Sequence, residues 1–496
     1  MAAKKKKEIA VKELETLEGD DLLGQMIDTG IKPKGGEKGR ERAQDLLKTF
    51  VSELLDPSLE RAPGVTKTIN ARIAAIDEIL SKQVNKILHH PDFQKLEGSW
   101  RSLNKLVMGS ETGETLKIRV FNASKKEMLK DFQAAAEFTE SALWKKIYEY
   151  EFGLYGGDPY GSLVGDFEFG KGPQDVSLLA HMSQVAAAAH APFVSATAPD
   201  MFGMDSFTQM PDPRDLAKIF DKNNPENTKW LSFRDTEDSR FVALVLPHTL
   251  RRLPYSPEDN PVEAFNFEEV TAEHDDYLWG NAGFDYAGRL TSAFAKHHWC
   301  VEIRGPEGGG LVEDLPIHTF KTADGDIAAK CPTEVQIPDT REKELSDLGF
   351  IGLLNCKNTD YAAFFGGNTA QRPKKYDTKE ATANAKLSSQ IPYLMTTSRI
   401  AHYLKAICRD KIGSFMTRAD CEQFLNNWIS NYVLDLDDAT QEAKAKRPLK
   451  EARIDVTEDK ASPGSYKAIA YLKPHFQLDE LGVSLRLVAD LPAAAQ

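Results

Sequence analysis

The sequence predicts a multi-domain protein of the α/β (α+β) class, and three observations carry that reading. Long apolar stripes at helical spacing fill the region after residue 40, strand-like runs alternate with helical ones from Gly113 onward, and two alternating runs close the chain. A length of 496 residues suits about three domains with room for large cores. The segments read as follows: 1–40, an N-terminal helix and flexible linker; 41–112, helical; 113–360, α/β domains; 361–463, helices and loops; 464–496, C-terminal strands.

Residues 8 to 28 carry Leu14, Leu17, Leu22, Leu23, Met26 and Ile27 at near-helical spacing. The Gly- and Lys-rich "TGIKPKGGEKGRER" that follows is a tether, so this amphipathic helix either docks on its own domain or serves a partner's groove. Ala43, Leu46, Leu47, Phe50, Val51, Leu54 and Leu55 then form one stripe. Ile69, Ile73, Ile76, Leu80, Val84 and Ile87 form a second, and Leu96, Trp100, Leu103 and Val107 a third. Pro91 in "HHPD" separates the last two, because proline suits the first turn of a new helix.

After Gly113, "TLKIRVF" reads as a strand and Ser124 as the cap of a helix. "DVSLLAHMSQVAAAAHAPFVSA" reads as a helix running into a strand. "RFVALVLP", "HHWCVEIRG" and "LVEDLPIHTF" read as strands among Pro- and Gly-rich loops, with loop again from Asp360 to Asp377. "TANAKLSSQIPYLMTTSRIAHYLKAICRDKIGSF" and "RADCEQFLNNWISNYVLDL" return to helical spacing. Tyr466 to Lys473 and the alternating Val483, Leu485 and Leu487 are the closing strands. A two-stranded hairpin is marginal in water by itself, so these strands need a sheet to join.

A net charge of −13, from 62 basic and 75 acidic residues, repels nucleic acid and anionic membrane at long range. Lys4 to Lys7 is a short basic tail. Cys300, Cys331, Cys356, Cys408 and Cys421 show no C-x-x-C pair, which fits free thiols in a reducing compartment. The N-terminus has no apolar core of a signal peptide and no run spans a bilayer, so a cytoplasmic protein is expected.

Chemistry leaves little local trace. "HHPD" and "KHHW" lack the spacing of zinc ligands, "GPEGGG" lacks the Gly-Lys-Ser/Thr ending of a phosphate loop, and there is no G-x-S-x-G elbow. No catalytic, cofactor or metal residue is assigned. "WLSFR" (Trp230, Arg234) and "LPHTLRRLPY" (Arg251, Arg252, Tyr255) place aromatics beside arginines, as contact surfaces do and as internal cation–π and ion pairs also do.

"ILHHPDFQKLEGSWRSLNKLV", "YLWGNAGFDYAGRL", "GPEGGGLVEDLPIHTF", "PTEVQIPDTREKELSDLGFIGL", "RIAHYLKAICRDKIGSF" and the closing "SPGSYKAIAYLKPHFQLDELGVSLRLVADLP" occur in this order. Together they resemble the large subunit of the type VI secretion system contractile sheath, from about residue 40 to residue 492. "PHTLRRLPY" departs, with His248 and Thr249 where that family usually shows arginine and an apolar residue.

The resemblance implies a structural, non-enzymatic protein without cofactors. It pairs with a small sheath subunit, stacks with copies of itself around an inner tube on a baseplate, and is dismantled by an AAA+ unfoldase. It further implies that Tyr466, Ala468, Ile469, Ala470, Tyr471, Leu472, Val483, Leu485 and Leu487 belong to strands shared between subunits. Ile69, Ile73, Ile76, Leu80, Trp100 and Leu103 are the expected small-subunit contact, and the Leu14–Ile27 helix the expected unfoldase ligand. The alternatives are the sheath of another contractile particle, such as a phage tail or an extracellular injection device, and a cytosolic α/β enzyme whose groups converge only in three dimensions.

Overall fold

A computed structural model describes residues 36–54, 65–321, 325, 327–414, 417–436, 438–458 and 466–477. The expected helix from Leu14 to Ile27, and Val483, Leu485 and Leu487, lie outside the described residues. The chain divides into two compact units, Met1–Lys82 and Gln83–Gln496. The described part of the first unit is helical: α1 (Gly36–Leu54) and most of α2 (Val65–Leu88).

The second unit begins with the end of α2 and with α3 (Pro91–Met108), where His90 caps the helix, its Nδ1 accepting from Asp92 N at 3.3 Å, and Pro91 takes the first turn as expected. Ser124 opens α4 (Lys125–Ala134) with a reciprocal capping box to Glu127. A helical turn over Ala142–Trp144 runs into a π-helix, Lys145–Gly153.

A six-stranded sheet follows, ordered β1 (Leu163–Phe169), β2 (Phe193–Thr197), β3 (Val242–Leu246), β9 (Phe350–Asn355), β10 (Ala362–Phe364) and β6 (Leu311–Val312). The first four run parallel and the last two antiparallel. Two small ladders complete this region, β4 (Thr249–Leu250) with β5 (Trp279–Gly280) and β7 (Thr319–Lys321) with β8 (Ile327–Ala329). Strands buried on both faces read as continuous apolar runs, which is why "FVSA" and "FVALVL" were legible. The helices here are α5 (Pro173–Ala189), α6 (Thr228–Arg234), α7 (Gly283–His297) and α8 (Asp339–Asp347). Leu178, Leu179 and Met182 from α5 and Tyr286 and Leu290 from α7 close the core around Phe193, Val242, Leu244 and Phe350.

The last region carries α9 (Lys379–Ser388), α10 (Ile391–Asp410), α11 (Arg418–Ser430), α12 (Gln441–Lys446), and the antiparallel pair β11 (Leu449–Glu458) and β12 (Tyr466–Pro474). Its own core gathers Trp299, Ile400, Leu425, Ile429, Leu449, Ile454 and Val456.

Four expectations need correction. "TLKIRVF" joins no ladder. Strand β1 is itself irregular against β2 between Val164 and Glu168, where the Ser195 hydroxyl and the Asn281 amide donate to the Gly165 and Phe167 carbonyls. The segment is instead held by side chains, Lys117 to Asp158 at 2.7 Å and Arg119 to Glu151. "HHWCVEIRG" is also irregular: His298 ends α7 in the left-handed region at φ 63°, and the Gln477 amide occupies the Val301 carbonyl at 2.9 Å. In "LVEDLPIHTF" only Leu311–Val312 and Thr319–Lys321 are strand. Residues 361–463, expected as helix and loop, also hold β10 and the ten-residue strand β11.

Candidate assembly interface

The hairpin of β11 and β12 is asymmetric. Its inner face sets Ala452 opposite Leu472 and Ile454 opposite Ala470, and these side chains pack on Leu425 and Ile429 of α11. The outer face pairs Arg453 with Tyr471, Asp455 with Ile469, Thr457 with Lys467 and Glu451 with Lys473. Two of these cross-strand pairs are electrostatic: the Arg453 guanidinium lies over the Tyr471 ring at 4.9 Å, and Lys473 reaches Glu451 at 2.9 Å. Tyr466, Ile469 and Tyr471 are exposed large side chains.

The two edges differ more sharply than the two faces. Along β11, Leu449 N donates to Tyr432 O at 3.2 Å and Leu434 N donates to Leu449 O at 2.8 Å. Further along, Asn426 Nδ2 donates to Ile454 O at 2.7 Å while Ile454 N donates to Asn426 Oδ1 at 2.9 Å, and Val456 N donates to Glu422 Oε2 at 3.2 Å. A side-chain amide and a carboxylate from α11 thus stand where a neighbouring strand's peptide groups would stand. Along β12, β11 is the one paired strand among the described residues.

All six expected strand residues from Tyr466 to Leu472 lie on β12, and their partner in this chain, β11, was not read from the sequence. The signal was present, since Ala452, Ile454 and Val456 alternate with Arg453, Asp455 and Thr457. No sequence pattern marks Asn426 or Glu422, because edge capping depends on where α11 lies.

The helical stripes expose apolar residues on each unit taken by itself. On α2, Ile73, Ile76 and Leu80 are exposed and Ile69 half-buried. On α3, Trp100 is 64% exposed and Leu96 is also exposed, whereas Leu103 turns inward against Leu106, Phe284 and Ala287. Leu103 therefore serves the fold, and the outward row on α3 is Leu96 and Trp100.

Internal charge anchors α3. Glu97 lies 2.8 Å from Arg252 Nε, Arg252 also grips Glu269 through both terminal nitrogens (2.5 and 3.0 Å), and Asp285 takes Arg251 at 2.9 Å and Lys105 at 3.4 Å. Burial raises the Glu97 carboxyl, but Arg252 and Arg101 override it and hold the group below the ordinary range. Trp230, Arg234, Arg251 and Arg252 are all buried, so the aromatic–arginine stretches are internal pairings and not contact surfaces. The histidines of "HHPD" serve the fold too, His89 lying 3.3 Å from both Glu269 and Asp276. Among the described residues no group of three His, Cys, Asp or Glu is placed to hold a metal ion, and no helix is long and apolar enough to cross a membrane.

Two family models match the chain. Residues 70–371 match the EvpB/VC_A0108 tail sheath N-terminal domain, and residues 380–491 the EvpB/VC_A0108 tail sheath gpW/gp25-like domain. A type VI secretion system sheath protein, TssC1 of Pseudomonas aeruginosa, is 47% identical over 492 residues, covering 97% of each chain. Among solved structures, the contracted sheath complex of the extracellular contractile injection system PVC aligns with 52% of this chain and 58% of its own at 10% identity and a TM-score of 0.29. The contracted helical sheath of the anti-feeding prophage aligns with 62% and 66% at 11% identity and a TM-score of 0.31. The family rests on the sequence matches.

Proposed function

The chain belongs to the EvpB/VC_A0108 tail sheath family of type VI secretion sheath large subunits, and from that premise we propose how its surfaces assemble. It is a structural sheath subunit. The β11–β12 hairpin is the coupling element: β12 and the Val483–Leu487 segment join sheets shared between neighbouring protomers, so that subunits stay linked while their bodies move. Each added main-chain hydrogen bond contributes about 0.5–1.5 kcal/mol net, and many links act in parallel along a helical lattice.

The observation that carries this reading is a β12 edge that pairs with no second strand among the described residues, on a hairpin whose other edge bonds to Asn426 and Glu422. Two outward rows, Ile73, Ile76 and Leu80 on α2 and, separately, Leu96 and Trp100 on α3, are each a contact for a small sheath subunit, since apolar side chains exposed in a row lose water only against a partner. Residues 14–27 are the segment for an AAA+ unfoldase, and the assembly encloses an inner tube on a baseplate in the cytoplasm. Work of contraction is stored in the extended packing.

Coexpression with the small sheath subunit and electron microscopy test this reading. Tubules that copurify with both chains are expected. A discrete particle of this chain alone, with the small subunit left unbound, would overturn it.

A further inference from the structure

From Leu116 to Ser124 the backbone runs without helix, turn, bend or ladder. Leu116 and Ile118 are half-buried while Lys117 and Arg119 are exposed, the two-residue alternation of a strand. Ile118 packs against Leu106, Phe284 and Ala287, and the ion pairs of Lys117 with Asp158 and of Arg119 with Glu151 hold the segment from its other side. The peptide groups from Lys117 to Ala123 nevertheless make no backbone hydrogen bond among the described residues. Open peptide groups on a segment already held extended are a template for an added strand, because little ordering is left to do when the partner arrives. Side chains point the same way. Val120 continues the parity of Leu116 and Ile118 but is 67% exposed, and Phe121 beside it is 56% exposed. The apolar cover over the start of the segment thus stops short of its end. Tyr150, Leu154 and Tyr155, on the π-helix and the loop after it, are exposed as well. Lys146 joins the two groups, its ammonium lying 5.6 Å over the Phe121 ring.

Charge sets the character of the partner. In a chain of net charge −13, no acidic residue stands between Glu114 and Glu127, whereas Lys117, Arg119, Lys125 and Lys126 do. Asp158, Glu151 and Asp175 answer three of these, and Lys126, Lys145 and Lys146 are exposed around the open segment. We infer that Lys117–Ala123 is a strand-addition site, separate from the C-terminal hairpin, for an extended segment of the small sheath subunit that alternates apolar with acidic side chains. This rests on the reading that α3 faces the small subunit, and it adds a main-chain contact to that face. The occupant follows from α3 itself. Val107 is exposed and shares, by helical spacing, the face of Leu96 and Trp100. The end of α3 then leads into the open segment, with Ile118 packed against Leu106. One partner therefore covers the row on α3 and the unpaired peptide groups together.

Proline substitution in the full chain, coexpressed with the small subunit, tests the site. Proline removes one N–H and suits extended backbone, so at a residue whose N–H is open it spares the free fold and blocks a ladder. Successive residues turn their peptide groups to opposite edges, hence Val120→Pro and Phe121→Pro probe one edge each. One of the two should lower the small subunit copurified by about tenfold, with the melting midpoint of the chain unchanged, and Val120→Thr, which keeps the N–H, should leave copurification intact. Hydrogen exchange on the unsubstituted protein gives a second readout and decides the matter should a proline variant melt early. Alternate amides between Lys117 and Ala123 should slow about tenfold when the small subunit binds. Amides that do not slow, or full copurification with both proline variants, would overturn the inference. Loss of copurification with Trp100→Asp in that case would leave α3 as the contact, and its persistence would remove the reading beneath as well. Amides that slow only in tubules, and not in the isolated pair, would give the site to a neighbouring copy and overturn the occupant.

Discussion

His248 Nδ1 lies 2.5 Å from a carboxylate oxygen of Glu334, an ion pair that ties the loop after β3 to the segment ahead of α8. Glu168 on β1 takes the other ring nitrogen at 3.0 Å. An imidazolium held between two carboxylates thus places a positive charge at this point of the fold. Burial disfavours that charge, but the hydrogen bonds to Glu168 and Glu334 outweigh it and push the pKa up to about 10 from 6.5.

The pH dependence follows from the direction of that shift. A raised histidine pKa contributes stability that is fully present below the unfolded value of 6.5 and is lost as pH rises through about 10. Glu334, lowered from 4.5 to about 2 because its bonds to His248 and His274 overcome burial, contributes stability present above 4.5 and lost toward 2. Thermal melts of the purified chain should therefore fall between neutral pH and pH 10, and His248→Gln should flatten that fall while lowering the midpoint at pH 7. Parallel curves for the two proteins would contradict the assignment.

Arg252 is the latch that holds α3. Arg252→Ala leaves Glu269, a buried carboxylate, without its bidentate partner, and removal of one member of a buried pair costs about 3–5 kcal/mol. A chemical denaturation midpoint lowered accordingly is expected; a change within about 0.5 kcal/mol, typical of surface positions, would mean that the pairing is incidental.

Trp100→Asp separates assembly from folding. The side chain is 64% exposed, so stability should move by no more than about 0.5 kcal/mol, while copurification of the small subunit should be lost. Leu103→Asp, one turn away but turned inward against Leu106 and Phe284, should lower the melting midpoint instead. Undiminished copurification with Trp100→Asp would exclude this face as the contact.

Some of this was legible in the sequence and some was not, for physical reasons. Pro91, the Ser124–Glu127 box and the apolar runs of β2 and β3 declare local structure through local chemistry. "TLKIRVF" has strand composition but no ladder, and the ion pairs of Lys117 with Asp158 and of Arg119 with Glu151 hold it instead. The candidate strand residues Tyr466 to Leu472 were visible as an alternation. Their partner strand β11 was not read, although Ala452, Ile454 and Val456 alternate with Arg453, Asp455 and Thr457 in the same way. The closed edge was invisible, since it depends on where Asn426 of α11 falls in space.

The measurement that tests the central claim most directly is electron microscopy of the chain truncated after Gln477, coexpressed with the small sheath subunit and compared with the intact pair. This cut keeps β11, β12 and the outward row of α3, and removes the segment proposed to reach a neighbour. The account predicts that the truncated chain still copurifies with the small subunit but forms no long tubules. Tubules of normal length from the truncated chain would contradict it.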